Sequence, residues 1–440
     1  MDKGGGNRLK KKLVRSWVLY DWGNSAFATT VMAAILPVFY ADVAAKGLDS
    51  TLASSYWAYA QSIGVFLVAI LAPILGAIAD YSAAKKKFLQ FFDFTGIISS
   101  ILLALVGEGD YILALLLFIV GSVGFSAANI FYDAFLPEVA AEDEIDKVST
   151  RGFAMGYVGG GILLAINVVM LLKHDWFGMA NQAVASRAAF VTVGIWWLFF
   201  SIPLFKNIIE EKKTRGKRTK SYAKIGFERD RNTFKEILNY KQVLLFLLAF
   251  WLYNDGISTI IRMATIYGKD VGIDTNSLIT ALLITQFVGI PSTFLLGWLA
   301  GKFTAKRVLL ATLYIYLGIV VLGYFMTSAV HFYLLAVCVG LVQGGAQALS
   351  RSIFGRMIPD HKHAEFYGFY GISSKFSAVF GPFLFGLVGQ LTGSSRNGIL
   401  SLVFFFIVGI ILLHFLNVDK GIRDSKRHTN PQGKVKLTTK

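Results

Sequence analysis

Hydrophobic residues along the chain gather in runs of about twenty, separated by short polar segments. An α-helix of that length crosses the hydrocarbon core of a bilayer, whereas helices and strands of soluble proteins need far shorter apolar runs. The pattern therefore predicts an all-α integral membrane protein with about twelve transmembrane spans, near residues 17–40, 57–80, 88–106, 111–133, 152–172, 188–206, 243–266, 278–300, 307–326, 332–355, 367–390 and 397–417.

The composition agrees with lipid as the solvent. Of the 440 residues, 55% are hydrophobic and 16% are charged, whereas an ordinary soluble domain is roughly one-quarter charged. The apolar stretch 17–40 follows a basic tail but is too long for the core of a signal peptide, so we expect it to remain as the first span. Cys338 is the only cysteine, which excludes an intrachain disulfide and a cysteine-rich metal site.

The basic residues are distributed unevenly between the two sides of the predicted membrane. Of the 43 Lys and Arg residues, 36 fall on the side of both termini, five fall on the opposite side and two lie within spans. Cytoplasmic loops are enriched in Lys and Arg, so both termini are expected in the cytoplasm. Because topology explains the net charge of +16, nucleic acid is not an expected partner. We expect the protein to lie in a bacterial inner (plasma) membrane.

Short segments of the first six spans recur in the last six. Three pairs echo each other in the same order: 19–25 with 252–258, 75–80 with 296–301, and 131–138 with 354–360. Such repeats predict two pseudo-symmetric six-helix bundles with a cavity between them. The expected organisation is a cytoplasmic basic tail (1–16), an N-terminal bundle (17–206), a cytoplasmic basic linker (207–241), a C-terminal bundle (242–417) and a cytoplasmic tail (418–440).

A glycine, an aspartate four residues later and a basic cluster stand between spans 2 and 3. This spacing resembles the loop signature of the major facilitator superfamily. In that reading the aspartate caps a neighbouring helix or pairs with a cation, and the group acts as a cytoplasmic gate. The alternative is an ordinary span end flanked by lysines. The predicted gate residues are Gly76, Asp80, Lys85, Lys86, Lys87 and Arg151.

Two further motifs carry a narrower resemblance. Residues 20–30 read YDWGNSAFATT, and residues 131–137 read FYDAFLP. Both resemble segments of the vacuole-effluxer-like branch of that superfamily, which includes the autophagy-related vacuolar amino-acid effluxers. The resemblance implies the major facilitator fold and transport driven by a gradient, with an amino acid as the favoured substrate class.

Polar and ionisable residues inside the predicted spans are the candidate site. A charge at the middle of a bilayer costs about 3 kcal/mol or more, so it needs a partner, a cavity or a function. Most of these residues fall on spans 1, 4, 7 and 10, which line the central cavity in the resembled fold. The predicted substrate-binding or coupling residues are Asp21, Asn24, Asn129, Asp133, Asp255, Arg262, Gln286, Gln343 and Lys375.

Several of these residues have a second interpretation. Asp255 and Arg262 are two helical turns apart, roughly 10 Å along the axis, and together would suit a zwitterion if both faced the cavity. Alternatively, Arg262 extends to the membrane surface. Asp21 lies near the start of its span, so its second interpretation is a residue at the membrane interface. Lys375 is equally suited to a structural ion pair with Asp80 or Asp133.

These features predict a secondary active transporter of a small polar solute that works by alternating access, with proton coupling as a further hypothesis. The chain has no Walker-type phosphate loop, so ATP is not expected to drive it directly. No catalytic constellation, metal site or cofactor motif is apparent in the sequence, so we do not expect an enzyme. The alternative is a membrane sensor or scaffold of the same fold that does not transport. We expect a monomer in contact with membrane lipid.

Overall fold

The computed structural model describes residues 3–81, 84–140, 145–208, 222–359 and 363–429. Within these ranges twelve helical spans are long and apolar enough to cross a membrane, which confirms the predicted number. They are numbered in chain order as spans 1 to 12: Lys10–Ala44, Ser50–Ala79, Lys85–Leu105, Tyr111–Ala134, Met155–Leu172, Gln182–Asn207, Lys241–Asp270, Thr275–Lys302, Ala305–Tyr324, Ala329–Met357, Phe369–Thr392 and Ser395–Phe415.

Several helices extend beyond the apolar part of their spans. The helix of span 1 begins at Lys3, that of span 2 ends at Tyr81, and that of span 5 begins at Ile145. Other described helices lie outside the spans, at Leu136–Val139, His174–Phe177, Tyr222–Ile237 and Val418–Thr429.

Short connections make successive spans antiparallel, so the first and last spans have their outer ends on one face of the bundle. We call this face the terminal side and the opposite face the far side. Spans 1–6 pack mainly against one another, as do spans 7–12, which gives the two predicted six-helix halves. Between the halves, the most extensive contact joins span 2 to span 11.

Two spans depart from a continuous α-helix. Span 1 contains π-helical segments at Phe27–Ala34 and Tyr40–Ala44. Span 11 consists of two helices, His363–Phe376 and Phe380–Thr392, with three residues between them. A helix that begins in the middle of a span exposes backbone N–H groups that need acceptors, because hydrocarbon supplies none.

A helix occupies part of the segment 207–241, which was predicted as a cytoplasmic basic linker. This linker helix, Tyr222–Ile237, packs against span 2 of the first half and span 11 of the second. The backbone of Gly226 lies so close to the carbonyl of Pro73 that a β-carbon would collide with it. Phe234 stacks on Phe369, with ring centroids 6.1 Å apart. The linker helix therefore contacts both halves at the terminal side.

A buried carboxylate joins three spans of the first half. Asp93 of span 3 is completely buried, and its Oδ1 accepts hydrogen bonds from Tyr20 Oη of span 1 and Trp197 Nε1 of span 6, each at 2.7 Å. The Trp197 ring also fills the space where a side chain at Gly96 would lie. Asp93 thus belongs to the packed interior of the half.

Replacing Asp93 with Ala should lower the melting temperature of the purified protein in detergent. The variant leaves two buried donors without an acceptor, at a cost of about 1–3 kcal/mol for each unpaired group. Asp93→Asn should be milder, because its amide oxygen can still accept. Ile98→Ala, at a lipid-facing position that is 52% exposed, is the matched control. Equal melting temperatures for Asp93→Ala and Ile98→Ala would contradict the structural role.

Candidate functional site

A cavity of about 1100 Å³ lies between the two halves. Its lining comes from spans 1, 2, 4 and 5 of the first half and from spans 7, 8, 10 and 11 of the second. Spans 2, 5, 8 and 11 therefore contribute to the wall in addition to the four spans predicted. The polar lining residues are Thr29, Gln61, Ser122, Ser126, Tyr157, Asn254, Ser258, Arg262, Thr285, Gln286, Thr293, Gln343, Gln347, Arg351, Tyr370, Ser374 and Lys375.

Polar contacts between the halves close the far side of the cavity. Asp42 at the end of span 1 forms an ion pair with Lys269 at the end of span 7, at 2.8 Å. Thr265 donates to the carbonyl of Ala33 at 2.8 Å. Spans 2 and 11 add two hydrogen bonds of 2.7 Å, Tyr59 to Gln390 and Ser62 to Val379.

The terminal side of the cavity is open. Gln347 and Arg351 of span 10 line the cavity and are exposed. Tyr370 of span 11 also lines the cavity, two helical turns after His363, the first residue of its helix. The structure therefore corresponds to a state in which the cavity is accessible from the side that holds the termini.

The charges on the cavity wall are all positive. Arg262, Arg351 and Lys375 line the cavity, and no Asp or Glu is present among the described lining residues. Gln61 Oε1 of span 2 accepts a hydrogen bond from Arg262 Nη1 of span 7 at 3.2 Å, across the two halves. This contact disfavours the alternative in which Arg262 reaches to the membrane surface.

Four of the nine predicted site residues line the cavity: Arg262, Gln286, Gln343 and Lys375. Residues separated by four positions on a helix share a face, which joins Asn254 and Ser258 to Arg262, and joins Gln347 and Arg351 to Gln343. That spacing was a usable signal for Asn254, Ser258 and Arg351, which the sequence prediction did not include. Gln61 has no polar neighbour at this spacing in its span, and only the fold brings it opposite Arg262.

Asn24 and Asn129 contact each other and are absent from the cavity lining. Asn24 Nδ2 donates to Asn129 Oδ1 at 2.7 Å, joining span 1 to span 4 within the first half. Asp21 is half-buried against span 5, where a β-carbon at Gly156 would contact its carboxyl group, and it accepts a hydrogen bond from Ser25 at 3.3 Å. The two asparagines thus join helices of one half, whereas the hydrogen bond of Asp21 lies within span 1.

Asp255 is also absent from the lining, for a different reason. It is 2% exposed, and its Oδ1 accepts a hydrogen bond from the backbone N–H of Gly381 at 2.8 Å. The N–H of Phe380 interacts with the same carboxylate. These two groups begin the second helix of span 11, so Asp255 caps a helix that starts inside the bundle. Asp255 and Arg262 therefore do not both face the cavity, which a zwitterion site formed by the two residues would require.

Asp133 lies at the terminal-side end of span 4. It is exposed, and it is within electrostatic reach of Lys375 and Arg351 in the opposite half. This arrangement favours the alternative in which Lys375 interacts with Asp133. The two cations nearest the terminal side thus have an acidic neighbour.

The predicted gate residues have several different environments. The buried Lys85 forms an ion pair with Glu138, in the short helix after span 4. Lys86 donates to the carbonyl of Ile208 at 3.0 Å. A β-carbon at Gly76 would lie 3.1 Å from Arg229 Nη2 of the linker helix. Lys87 and Arg151 are exposed, and the side chain of Asp80 lies outside the described residues.

Sequence comparison identifies relatives over most of the chain. The family described as "Vacuole effluxer Atg22 like" matches residues 49–426. The "Uncharacterized MFS-type transporter YxiO" of Bacillus subtilis is 40% identical over 411 residues, which cover 92% of this chain and 95% of that protein. Autophagy-related protein 22 of Eremothecium gossypii is 24% identical, with 95% of each chain covered.

Solved structures of transporters share the fold. A bacterial homologue of the human lysosomal transporter Spinster, in an inward-facing conformation, superposes with a TM-score of 0.66 at 15% identity, covering 96% of this chain and 99% of that one. A D-xylose–proton symporter superposes with a TM-score of 0.64 at 13% identity, covering 94% and 98%. The expected major facilitator fold is therefore confirmed.

The cavity wall can be tested with cysteines at two adjacent positions of span 11. Ser374 lines the cavity, whereas Ser373 is 2% exposed. In a Cys338→Ser background, a cysteine at Ser374 should react with a hydrophilic thiol reagent many times faster than one at Ser373. Rates are measured by mass shift in proteoliposomes. Equal rates at the two positions would contradict a water-filled cavity here.

Proposed function

Because the chain belongs to the vacuole effluxer Atg22-like family of membrane transporters, we propose that it moves a small polar solute by secondary active transport. An amino acid or a similar metabolite is the favoured solute. The observation that carries the proposal is the central cavity, which both halves line and which is closed on one side only. Such a cavity is what alternating access between two rocking bundles requires.

In the proposed cycle, the far-side contacts break as the terminal side closes. The contacts that must be exchanged include the ion pair of Asp42 with Lys269 and the hydrogen bond of Thr265 with Ala33. On the terminal side, the linker helix and the predicted gate residues would limit how far the halves separate. Contacts of the linker helix with both Pro73 and Phe369 support this role.

The proposed orientation places both termini in the cytoplasm of a bacterial cell, with the protein in the plasma membrane. The excess of Lys and Arg on the terminal side supports the orientation. The 40% identical relative from Bacillus subtilis supports the membrane. The open side of the cavity would then face the cytoplasm.

Proton coupling through Asp255 is part of the proposal. As a carboxylate, Asp255 holds the start of the second helix of span 11 through the N–H groups of Phe380 and Gly381. A proton on Asp255 removes the negative charge that the helix terminus favours. Protonation would therefore loosen span 11, which is the span of the second half in closest contact with span 2 of the first.

Asp255→Asn should separate exchange from proton-driven transport. In proteoliposomes with a pool of the twenty radiolabelled amino acids, the wild type should show both counterflow and uptake driven by a pH gradient. Asp255→Asn should retain counterflow, because the amide oxygen still accepts from the helix, and should lose at least nine-tenths of the pH-driven uptake. Asp175→Asn, at an exposed position outside the spans, is the control.

Unchanged pH-driven uptake in Asp255→Asn would remove this residue from coupling. Absence of counterflow in the wild type with every amino acid would instead favour the sensor or scaffold interpretation.

A further inference from the structure

The far end of the cavity holds two hydrogen-bond donors that come from different halves. Arg262 belongs to span 7 and Gln61 to span 2, and the side-chain oxygen of Gln61 accepts from Arg262 Nη1 at 3.2 Å. Both residues line the cavity. The contact leaves the amide nitrogen of Gln61 and the rest of the guanidinium free for other acceptors.

These remaining donors have no hydrogen-bond acceptor among the described residues. Gln61 is 1% exposed, and its Nε2 has no hydrogen-bond partner in the described part of the chain. Among the described residues, Arg262 makes no hydrogen bond other than the one to Gln61. A buried amide donor without an acceptor costs about 1–3 kcal/mol. The site therefore lacks an acceptor group, and it carries a full positive charge.

The nearest carboxylate on the same helix does not fill this place. Asp255 is two turns away from Arg262, roughly 10 Å along the axis, and its Oδ1 accepts from Gly381. Asp255 is within electrostatic reach of Arg262, as Asp133 is of Lys375 and Arg351, but its carboxylate is held by the start of the second helix of span 11. Arg262 thus has a carboxylate within electrostatic reach, but no carboxylate contacts its guanidinium in the described part of the chain.

We propose that Arg262 and Gln61 form a subsite for the carboxylate of the transported solute. A guanidinium binds a carboxylate through two parallel N–H···O bonds, and the Gln61 amide adds a third donor. No described lining residue is acidic, so the wall offers no charged partner for an ammonium group. The carboxylate therefore selects the solute, and an amino group on it is dispensable. This inference rests on the proposed function and specifies its substrate class.

The subsite also couples binding to the position of the halves. Its donors come from spans 2 and 7, so they are close together only while the far side is closed, as the ion pair of Asp42 with Lys269 keeps it here. A bound carboxylate contacts both donors and stabilises that state. Opening of the far side separates the donors and weakens binding.

Three pools of compounds test the selection. All three pools are made from the same set of neutral amino acids. The first pool contains the free amino acids, the second their N-acetyl derivatives, and the third their amides. The first two pools retain a carboxylate and the third does not. The free and N-acetylated pools should raise the melting temperature of the purified full-length protein and inhibit counterflow, whereas the amide pool should do neither.

Two variants of the subsite sharpen the test. Arg262→Lys keeps the charge but loses the paired geometry, and should weaken binding of the carboxylate pools about tenfold or more. Gln61→Glu places a tethered carboxylate beside Arg262. It should raise the melting temperature without any ligand and abolish the effect of the pools. Gln90→Glu, a half-buried position of span 3 outside the lining, should behave as the wild type.

Stabilisation by none of the pools, or by all three alike, would overturn the carboxylate subsite, as would wild-type binding in Gln61→Glu. Stabilisation by the carboxylate pools that depends on Arg262, without counterflow in the wild type, would support the subsite and overturn the proposed transport.

Discussion

The high cost of a charge in hydrocarbon organises the interior of this protein. Each ionisable group within the spans needs either hydrogen-bond partners or water. The carboxylates of Asp93 and Asp255 have donors inside the bundle, from side chains in the first case and from a helix terminus in the second. The cations Arg262, Arg351 and Lys375 instead line the cavity. These two carboxylates therefore hold helices together, whereas these three cations face the space that a solute would occupy.

The two ends of the cavity therefore carry different sets of residues. At its far end, Arg262 contacts Gln61 across the two halves, close to the contacts that close that side. Towards its open end, Lys375 and Arg351 lie near Asp133. A solute that enters from the terminal side meets Lys375 and Arg351 first and Arg262 last. Spans 2 and 7, which carry these two side chains, thus also contribute to the contacts that close the far side.

Long-range features of this architecture were predictable because they depend on patterns that extend over many residues. Twelve apolar runs and an ordered set of internal echoes were sufficient for the spans and the two halves. Individual site residues were less predictable, because a polar residue in a span serves equally well as a cavity ligand or as a helix contact. Asn24 and Asn129 pair with each other, and Asp255 caps a helix start that exists only because span 11 is interrupted. Gln61 acquires its importance from a partner about two hundred residues away, which no local pattern reveals.

The most direct test of alternating access is a pair of distances between nitroxide labels, measured by double electron–electron resonance. Asp42→Lys replaces the far-side ion pair with two like charges, which should favour opening of that side. Nitroxides are placed at exposed positions in a Cys338→Ser background, with one pair on the far side and one on the terminal side: Ser50 with Asn276, and Lys206 with Lys302. We expect Asp42→Lys to lengthen the far-side distance and to shorten the terminal-side distance in the same sample. Lengthening of both, or no change in either, would contradict two halves that rock about a central site.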